Sequence, residues 1–496
     1  MRNVLPAQLK LSQTDISAIY LDPKSRDDIP QLLRGLQHIY VDLGLRQRVF
    51  AILQGVRPTR KNGEGKADPE VGRPGMAQWV ILVLGTLRLV LNADYDRIVE
   101  LANQHSTLRQ MLGHGRWDDE YTYELQTVKD NIRLFSPEIL SKINEEVVTA
   151  GHEILRKNGQ MDEINARADS FVVETNVHYP TDINLLYDSI RKTIELCNKL
   201  SIECDLTEWR QSAYNISKFK KQYRHIQLIR HSTSKDEVKR DNKEDELRGA
   251  YVKYIEMAKE YLAKAEDTCD RVFGRSTIKP ILFAKLRDYM GYARQQVSLI
   301  DKRILRGEVI PHDDKVFSIF EPHTEWISKG KAGVPVELGL RVCIVEDQSR
   351  FILHHKVMVK QTDDQVTVEV AQHTVDRYPQ VKSISYDKGF HSPENQKELK
   401  ELVERVVLPR KGKLSEKSKA DESDPEFKRL RRKHSAVESG INALEVHGLD
   451  TCPDHGLIGF ERYVALAVLG RNIHRLGAVL EEQEARKRPR INKIAA

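Results

Sequence analysis

The sequence predicts an α/β chain: a mixed sheet with flanking helices, preceded by an all-helical N-terminal region and interrupted by a helical insert. Three observations predict this. Strand-length apolar and β-branched runs occur at 165–178, 336–345, 351–359 and 381–387, with a shorter one in 404–410. Helical patterns alternate with the later runs, which is the order of a layered α/β domain. Between the first and second strands, residues 183–306 carry only helical patterns.

Composition sets the outer limits. A length of 496 residues corresponds to about three domains. Hydrophobic residues make up 40% and charged residues 31%, a globular composition with a heavily charged surface. The net charge of +6 permits nucleic-acid binding without demonstrating it. Cys197, Cys204, Cys269, Cys343 and Cys452 are scattered with no CxxC pair. That spacing argues against a disulfide framework and a structural zinc, and for a reducing, cytoplasmic setting. No apolar signal-peptide core opens the chain. The most apolar run, Trp79 to Leu91, contains Arg88 and is too short for a bilayer, so it reads as a buried helix. No GxxxxGK[ST] loop occurs, so ATP dependence is not expected.

Residues 1–160 read as helical. Leu32, Leu33, Leu36, Ile39 and Leu43 recur at helical spacing within 28–56. The Gly-, Pro- and charge-rich stretch 57–75 reads as a linker. Then come a buried helix (76–92), a helix opening near Asp94, a turn at His105 to Thr107, and more helix. That order is compatible with a DNA-binding helix-turn-helix, although ordinary helical bundles share it. An amphipathic helical stretch, 118–158, completes the region.

The first strand falls within 161–182, and Thr181 or Asp182 is placed to cap the next helix. In the helical insert, 183–310, Lys218, Lys220, Lys221 and Arg224 alternate with Phe219 and Tyr223. Basic residues between aromatics suit a DNA backbone, while the plain alternative is a solvated helix face. The mixed-sign stretch 234–248 reads as exposed.

Residues 311–483 supply the rest of the α/β domain. A hairpin turns at Glu346 to Arg350, a helix spans 364–378, and a strand ends at Asp387. Ser392 and Pro393 then open a helix. The polar run 412–426 is expected to be flexible. Helices at 429–447 and 457–483 and a basic tail, 484–496, close the chain. Without the insert, the order of strands and helices matches the ribonuclease-H-like fold.

Three acids stand out. Asp169 interrupts an apolar strand, where a carboxylate costs stability unless something binds it. Asp387 ends a strand, and Gly389 lets the chain turn after it. Glu438 lies on a helix whose stripe Val437, Ile441 and Leu444 packs inward. Carboxylates converging from separate elements could hold two Mg²⁺ or Mn²⁺ ions, the hard cations used to cleave phosphodiesters. With 73 acidic residues in the chain, chance alone could also supply such a trio. Glu174, five residues after Asp169, points to the opposite face. Adjacent His354 and His355 face opposite ways, Trp326 reads first as a core residue and second as a base-stacking one, and Lys388 and His391 are candidate phosphate contacts.

The segments ADSFVVETNVHYPTD, SISYDKGFHSPEN and RRKHSAVESGINALEVHGLD resemble, in order, the catalytic blocks of bacterial insertion-sequence DDE transposases. The segments EPHTEWISKGKAGVPVELGLRV and GRPGMAQWVILVLGTLRLVL also resemble parts of these proteins. The similarity spans about residues 70–480 and is greatest to the ISNCY group. It implies a ribonuclease-H-like catalytic domain with Asp169, Asp387 and Glu438 as catalytic and metal-binding acids. It further implies two Mg²⁺ or Mn²⁺ ions, terminal inverted repeats and target DNA as partners, a homodimer or larger assembly, and a nucleoid-associated location. DNA-contacting roles around the glutamate are implied for His434 and for Arg431, Arg432 or Lys433, beside the candidate phosphate contact Lys388. Where some relatives carry a lysine after the glutamate, this chain has Glu445. A nuclease without strand transfer and a non-catalytic DNA-binding derivative are the alternatives.

Overall fold

The computed structural model describes residues 2–5, 13–58, 65–66, 68, 75–115, 120–231, 237–273, 280–328, 335–412 and 416–487. Two compact units emerge: Met1–Asn176 with Ile327–Ala496, and Val177–Trp326. The expected insert lies inside the second. The N-terminal helices share one hydrophobic core with the sheet in the first.

The first unit begins with α1 (Asp28–Val41), α2 (Leu43–Leu53), α3 (Gln78–Val90), α4 (Tyr95–Gln104), α5 (Ser106–Met111), α6 (Leu125–Ile132) and α7 (Pro137–Lys157). Every residue of α3 is buried, as its uniform apolarity requires. Its Arg88 is tolerated because Asp454 pairs with it at 3.0 Å and the Tyr95 ring lies 4.0 Å beneath it. Helices α4 and α5 meet at a single residue, His105, whose Nδ1 accepts the Leu108 N–H. That joint is shorter than a helix-turn-helix turn of about three to four residues. It corrects the expected turn at His105 to Thr107.

After β1 (Ile164–Thr175) the chain leaves for the second unit, built from α8 (Asp182–Glu203), α9 (Ser212–His231), α10 (Glu237–Val272) and α11 (Pro280–Ile300). Thr181, not Asp182, caps α8. Phe219 is fully buried and stacks on Tyr254 at 4.5 Å, and the half-buried Tyr223 packs against the same core, so the aromatics between the α9 lysines turn inward. Lys218, Lys220, Lys221 and Arg224 themselves are exposed. The mixed-sign stretch is helical from Glu237 onward.

The chain returns through β2 (Glu325–Ser328), β3 (Val336–Glu346) and β4 (Ile352–Met358). It continues with α12 (Asp363–Arg377), β5 (Val381–Tyr386), α13 (Pro393–Leu402) and β6 (Arg405–Val407). Then follow α14 (Glu416–Ser423), α15 (Pro425–His434), α16 (Ala436–Leu444), β7 (Thr451–Cys452) and α17 (Leu457–Lys487). Much of the run expected to be flexible is therefore helical; residues 413–415 and 488–496, the latter holding most of the basic tail, lie outside the described residues. The strands form one open mixed sheet in the order β2-β3-β1-β5-β6, with β4 on β3 and β7 on β1. β1 is antiparallel to β3 and parallel to β5, and β6 continues the parallel side.

Helix α17 ties the helices to the sheet, packing on α1, α3, α7 and β4. It meets α1 almost backbone to backbone: a Cβ on Gly35 would lie 2.1 Å from the Ile473 carbonyl oxygen, and one on Gly477 2.0 Å from that of Gln31. Asn472 then fastens α17 to the first residue of β4. Its Oδ1 accepts the Ile352 N–H at 2.9 Å, and its Nδ2 donates to the Ile352 carbonyl at 2.8 Å and to Asn144 Oδ1 at 2.7 Å. Every group in this buried network has a partner, which makes removing one member costly. Asn472→Ala leaves the Ile352 N–H without an acceptor and is expected to lower unfolding free energy by about 3 kcal/mol. Chemical denaturation measures this; a loss under about 1 kcal/mol would show that the network carries no such weight.

Candidate active site

The sheet brings the first two acids together by register. In the parallel β1–β5 pair Ala168 is opposite Tyr386, so Asp169 and Asp387 are the next residues on two neighbouring strands. β5 ends there, while β1 runs on. β7 joins β1 only from Glu174. Along Asp169 to Val173, then, β1 lacks β5 and has not yet met β7. A crevice at the carboxyl end of parallel strands is where α/β sheets usually bind ligands.

Helix α16 packs over this part of β1. Its chain direction changes at Ser435, which separates it from α15, so the single helix expected over 429–447 is two. A π turn, Glu445–Leu449, follows α16. The apolar stripe predicted for this helix is real: Val437 and Leu444 are buried and Ile441 packs against the core, while Glu438 is exposed. Asp169, Glu438, Ile441, Glu445 and Arg341 line one cleft of about 470 Å³. Asp387 is exposed at the end of β5.

The carboxylates act on one another's ionisation. Burial pushes the Asp169 pKa up to about 6, opposed by the Ser170 N–H that its Oδ1 accepts at 2.8 Å. Asp387, Asp363 and Glu438 push it further up. The charges that act most strongly on Asp169 are thus carboxylates. Such a set is short of positive charge and offers only hard oxygen donors, which fits a divalent cation of the Mg²⁺ type. Among the described residues no three His, Cys, Asp or Glu side chains already form a cage. Mg²⁺ keeps most of its waters and needs only one or two carboxylates.

Asp363 was not foreseen. It lies in the first turn of α12 and accepts the Ser170 hydroxyl at 2.6 Å. A Cβ on Gly389 would be 3.1 Å from its Oδ2, so the turn after Asp387 rests against it. An acid at a helix start is ordinary in sequence, and nothing marked this one. Arg341, Glu346 and Arg167 were also missed. Glu346 faces Arg167 across β1 and β3, 3.8 Å away, and lies under α16 where a Cβ on Gly440 would come within 2.6 Å of Glu346 Oε1.

The basic candidates divide. His434 Nδ1 lies 3.1 Å from Ser385 Oγ, on the strand that ends at Asp387. Burial lowers its pKa, while Asp387 raises it, Arg167 lowers it and Glu438 raises it, which brings His434 into the same group. Lys388, Arg431 and Arg432 are exposed, and Arg431 pairs with Glu422 at 3.5 Å. His391 is half-buried in the turn after Asp387. His354 stacks on His373 at 5.4 Å, away from this cleft, with its pKa lowered by burial to about 3. Lys218, Lys220, Lys221 and Arg224 belong to the other unit. No protein-family model, curated protein or solved structure matches the chain.

Glu346 is expected to couple stability to pH. Burial raises its pKa from 4.5 to about 7. The folded state therefore holds this proton more tightly than the unfolded chain, and stability falls as pH rises through that window. Glu346→Gln removes the penalty. The variant is expected to match wild type at pH 4 and to exceed it by about 1–3 kcal/mol at pH 8. Urea titrations at both pH values would refute this if the two differences were equal.

Proposed function

We propose that the chain is a DDE-type DNA transposase with a ribonuclease-H-like catalytic unit, which cuts insertion-sequence ends and joins them to target DNA. The observation that carries the reading is the register that sets Asp169 beside Asp387, with Glu438 facing the same cleft. The sheet order supports the fold reading: an antiparallel pair of strands on one side of β1 and parallel strands on the other. So does the match between the sequence blocks and the three acids.

Asp169, Asp387 and Glu438 would hold the metal, and two Mg²⁺ or Mn²⁺ ions would favour deprotonation of the attacking water or hydroxyl and stabilise the leaving oxygen. The remaining work falls to the chain itself. Asp169 is fixed in the central strand, and Ser170 couples it to Asp363. Glu438 comes from a helix seated on that strand through Val437 and Leu444. His434, held by Ser385, offers a neutral ring rather than a fixed charge, because burial lowers its pKa. Arg341, which lines the cleft, and the exposed Lys388, Arg431 and Arg432 are suited to phosphate oxygens. The exposed Lys218, Lys220, Lys221 and Arg224 suit the backbone of duplex DNA through charge alone. The reaction hydrolyses one phosphodiester, frees a 3′-hydroxyl, and uses that hydroxyl to attack target DNA. Two ends must be held at once, so the working form is a homodimer or larger assembly, acting in the bacterial cytoplasm on the nucleoid.

The test is cleavage of labelled DNA carrying the element's own terminal repeat, with Mg²⁺ or Mn²⁺. Asp169→Asn, Asp387→Asn and Glu438→Gln are each expected to lower cleavage by about three orders of magnitude, the effect of losing several kcal/mol of charge stabilisation. Repeat binding should persist in all three. Mn²⁺ should raise the unfolding midpoint of wild type and not of Asp169→Asn. Variants that cut as well as wild type would remove these acids from the mechanism.

A further inference from the structure

A second cleft lies in the first unit, apart from the three acids. It has a volume of about 970 Å³ and sits where β1 and β7 end, with Asn176 and Pro453 on its wall. Helices α3, α4, α6 and α17 supply the rest of its lining. The cleavage chemistry makes no use of it.

Its buried lining holds more positive than negative charge. Arg88 and Arg462 are 3% and 8% exposed, and both meet Asp454, at 3.0 and 3.3 Å. One carboxylate thus serves two buried guanidinium groups, and a buried charge without its own counter-ion is costly. A third cation joins them. Lys129 Nζ lies 5.5 Å from the centre of the Tyr95 ring, which also sits 4.0 Å from the Arg88 guanidinium. The negative face of a ring attracts cations, and this ring gathers two. Arg133, one helical turn after Lys129, is exposed, and its pairing with Asp130 is loose, at 4.0 Å. Asp94 and Asp96 also line the cleft, but both are exposed. Asp94 Oδ1 already accepts the Arg97 N–H as cap of α4, and Asp96 sits in the first turn of that helix.

Guanidinium and ammonium groups gathered around one cavity suit a phosphate. Position indicates which phosphate. Asn176 follows Asp169 by seven residues along one extended segment, which at the usual strand rise is about 23 Å. Phosphates on one strand of duplex DNA recur about every 3.4 Å along the axis. A duplex with its scissile phosphate at Asp169 would therefore bring a backbone phosphate to the cleft about seven base pairs away. We propose that this cleft grips the DNA backbone at that distance from the cut, through Lys129 and Arg133, with Arg88 and Arg462 adding positive charge behind them. The proposal rests on the reading of the chain as a DNA-cutting enzyme and adds where its substrate must extend. Phosphate contacts fix register without reading sequence, so the cleft sets how far the duplex must reach on one side of the cut.

Fluorescence anisotropy with the full chain, at several salt concentrations, tests this. Three labelled duplexes share one sequence containing the terminal repeat. One is unmodified; the other two carry charge-neutral methylphosphonates about seven base pairs from the cut, on one side or the other. Wild type is expected to bind one of the two modified duplexes about tenfold less tightly than the unmodified one. The double variant Lys129→Gln, Arg133→Gln is expected to bind the unmodified duplex about tenfold less tightly than wild type, with a salt dependence shallower by about two phosphate contacts. That same modification should then cost the double variant nothing further. Arg133→Gln alone alters only an exposed position and is expected to lose about threefold, which keeps the test open if the double variant unfolds. Variants with wild-type affinity and salt dependence would overturn the cleft and leave the DNA reading standing. So would a double variant that loses affinity in full again on both modified duplexes. A wild type that binds none of the duplexes would overturn both. Inorganic phosphate separates the remaining source. If it raises the unfolding midpoint of wild type and not of the double variant, while both bind the duplex equally, the cleft takes free phosphate and the DNA assignment falls.

Discussion

The structure depends on one register. β1 and β5 run parallel with Ala168 opposite Tyr386, and the next residue on each strand is an aspartate. A slip of one residue would send every side chain of β5 to the other face of the sheet. Asp387 would then leave Asp169, and Ser385 would no longer meet His434. Apolar burial guards the register. Ile384 and Tyr386 are fully or nearly fully buried on one face, and a slip would force them into the places of the smaller buried Ser383 and Ser385 on the other. The core that stabilises the sheet therefore also sets the distance between the two carboxylates.

The same arrangement has a cost that the fold carries without a cation. Asp169 is half-buried beside other carboxylates, and its pKa is raised to about 6. Glu346, on the adjacent strand, is raised to about 7 by burial. Structural acids in this chain are handled differently. Asp347 is wholly buried, yet it lies 2.7 Å from His152 and accepts two backbone N–H groups that close the β3–β4 turn. Asp454 sits between Arg88 and Arg462. Buried acids with a structural task are paired with a histidine or arginines here, whereas the charges that act most strongly on Asp169 are carboxylates. That contrast is the physical reason to read the cleft as a site for a cation and a polyanion.

Much of this was legible in the sequence, and for identifiable reasons. Strands rich in β-branched residues and interrupted by turn signals located β1, β3, β4 and β5 to within a few residues. Asp169 was conspicuous because an acid inside an apolar strand violates the pattern around it. Glu438 was located by the stripe of Val437, Ile441 and Leu444. What escaped was whatever depends on tertiary neighbours. Asp363 looked like any acid at a helix start, and only the fold brings it to Ser170. Phe219 and Tyr223 alternated with lysines in a way that suited DNA, but the helical period turned Phe219 into the core. Composition makes the polar run 412–426 look flexible, yet Glu416–Ser423 within it forms a helix whose Glu422 pairs with Arg431.

The most direct measurement is the crystal structure of the protein soaked in Mn²⁺, read through the metal's anomalous scattering. The account predicts a peak within about 2.1 Å of carboxylate oxygens from both Asp169 and Asp387, with Glu438 turned toward it. A peak elsewhere, or well-ordered aspartates with none between them, would contradict the central claim that this register exists to hold a metal.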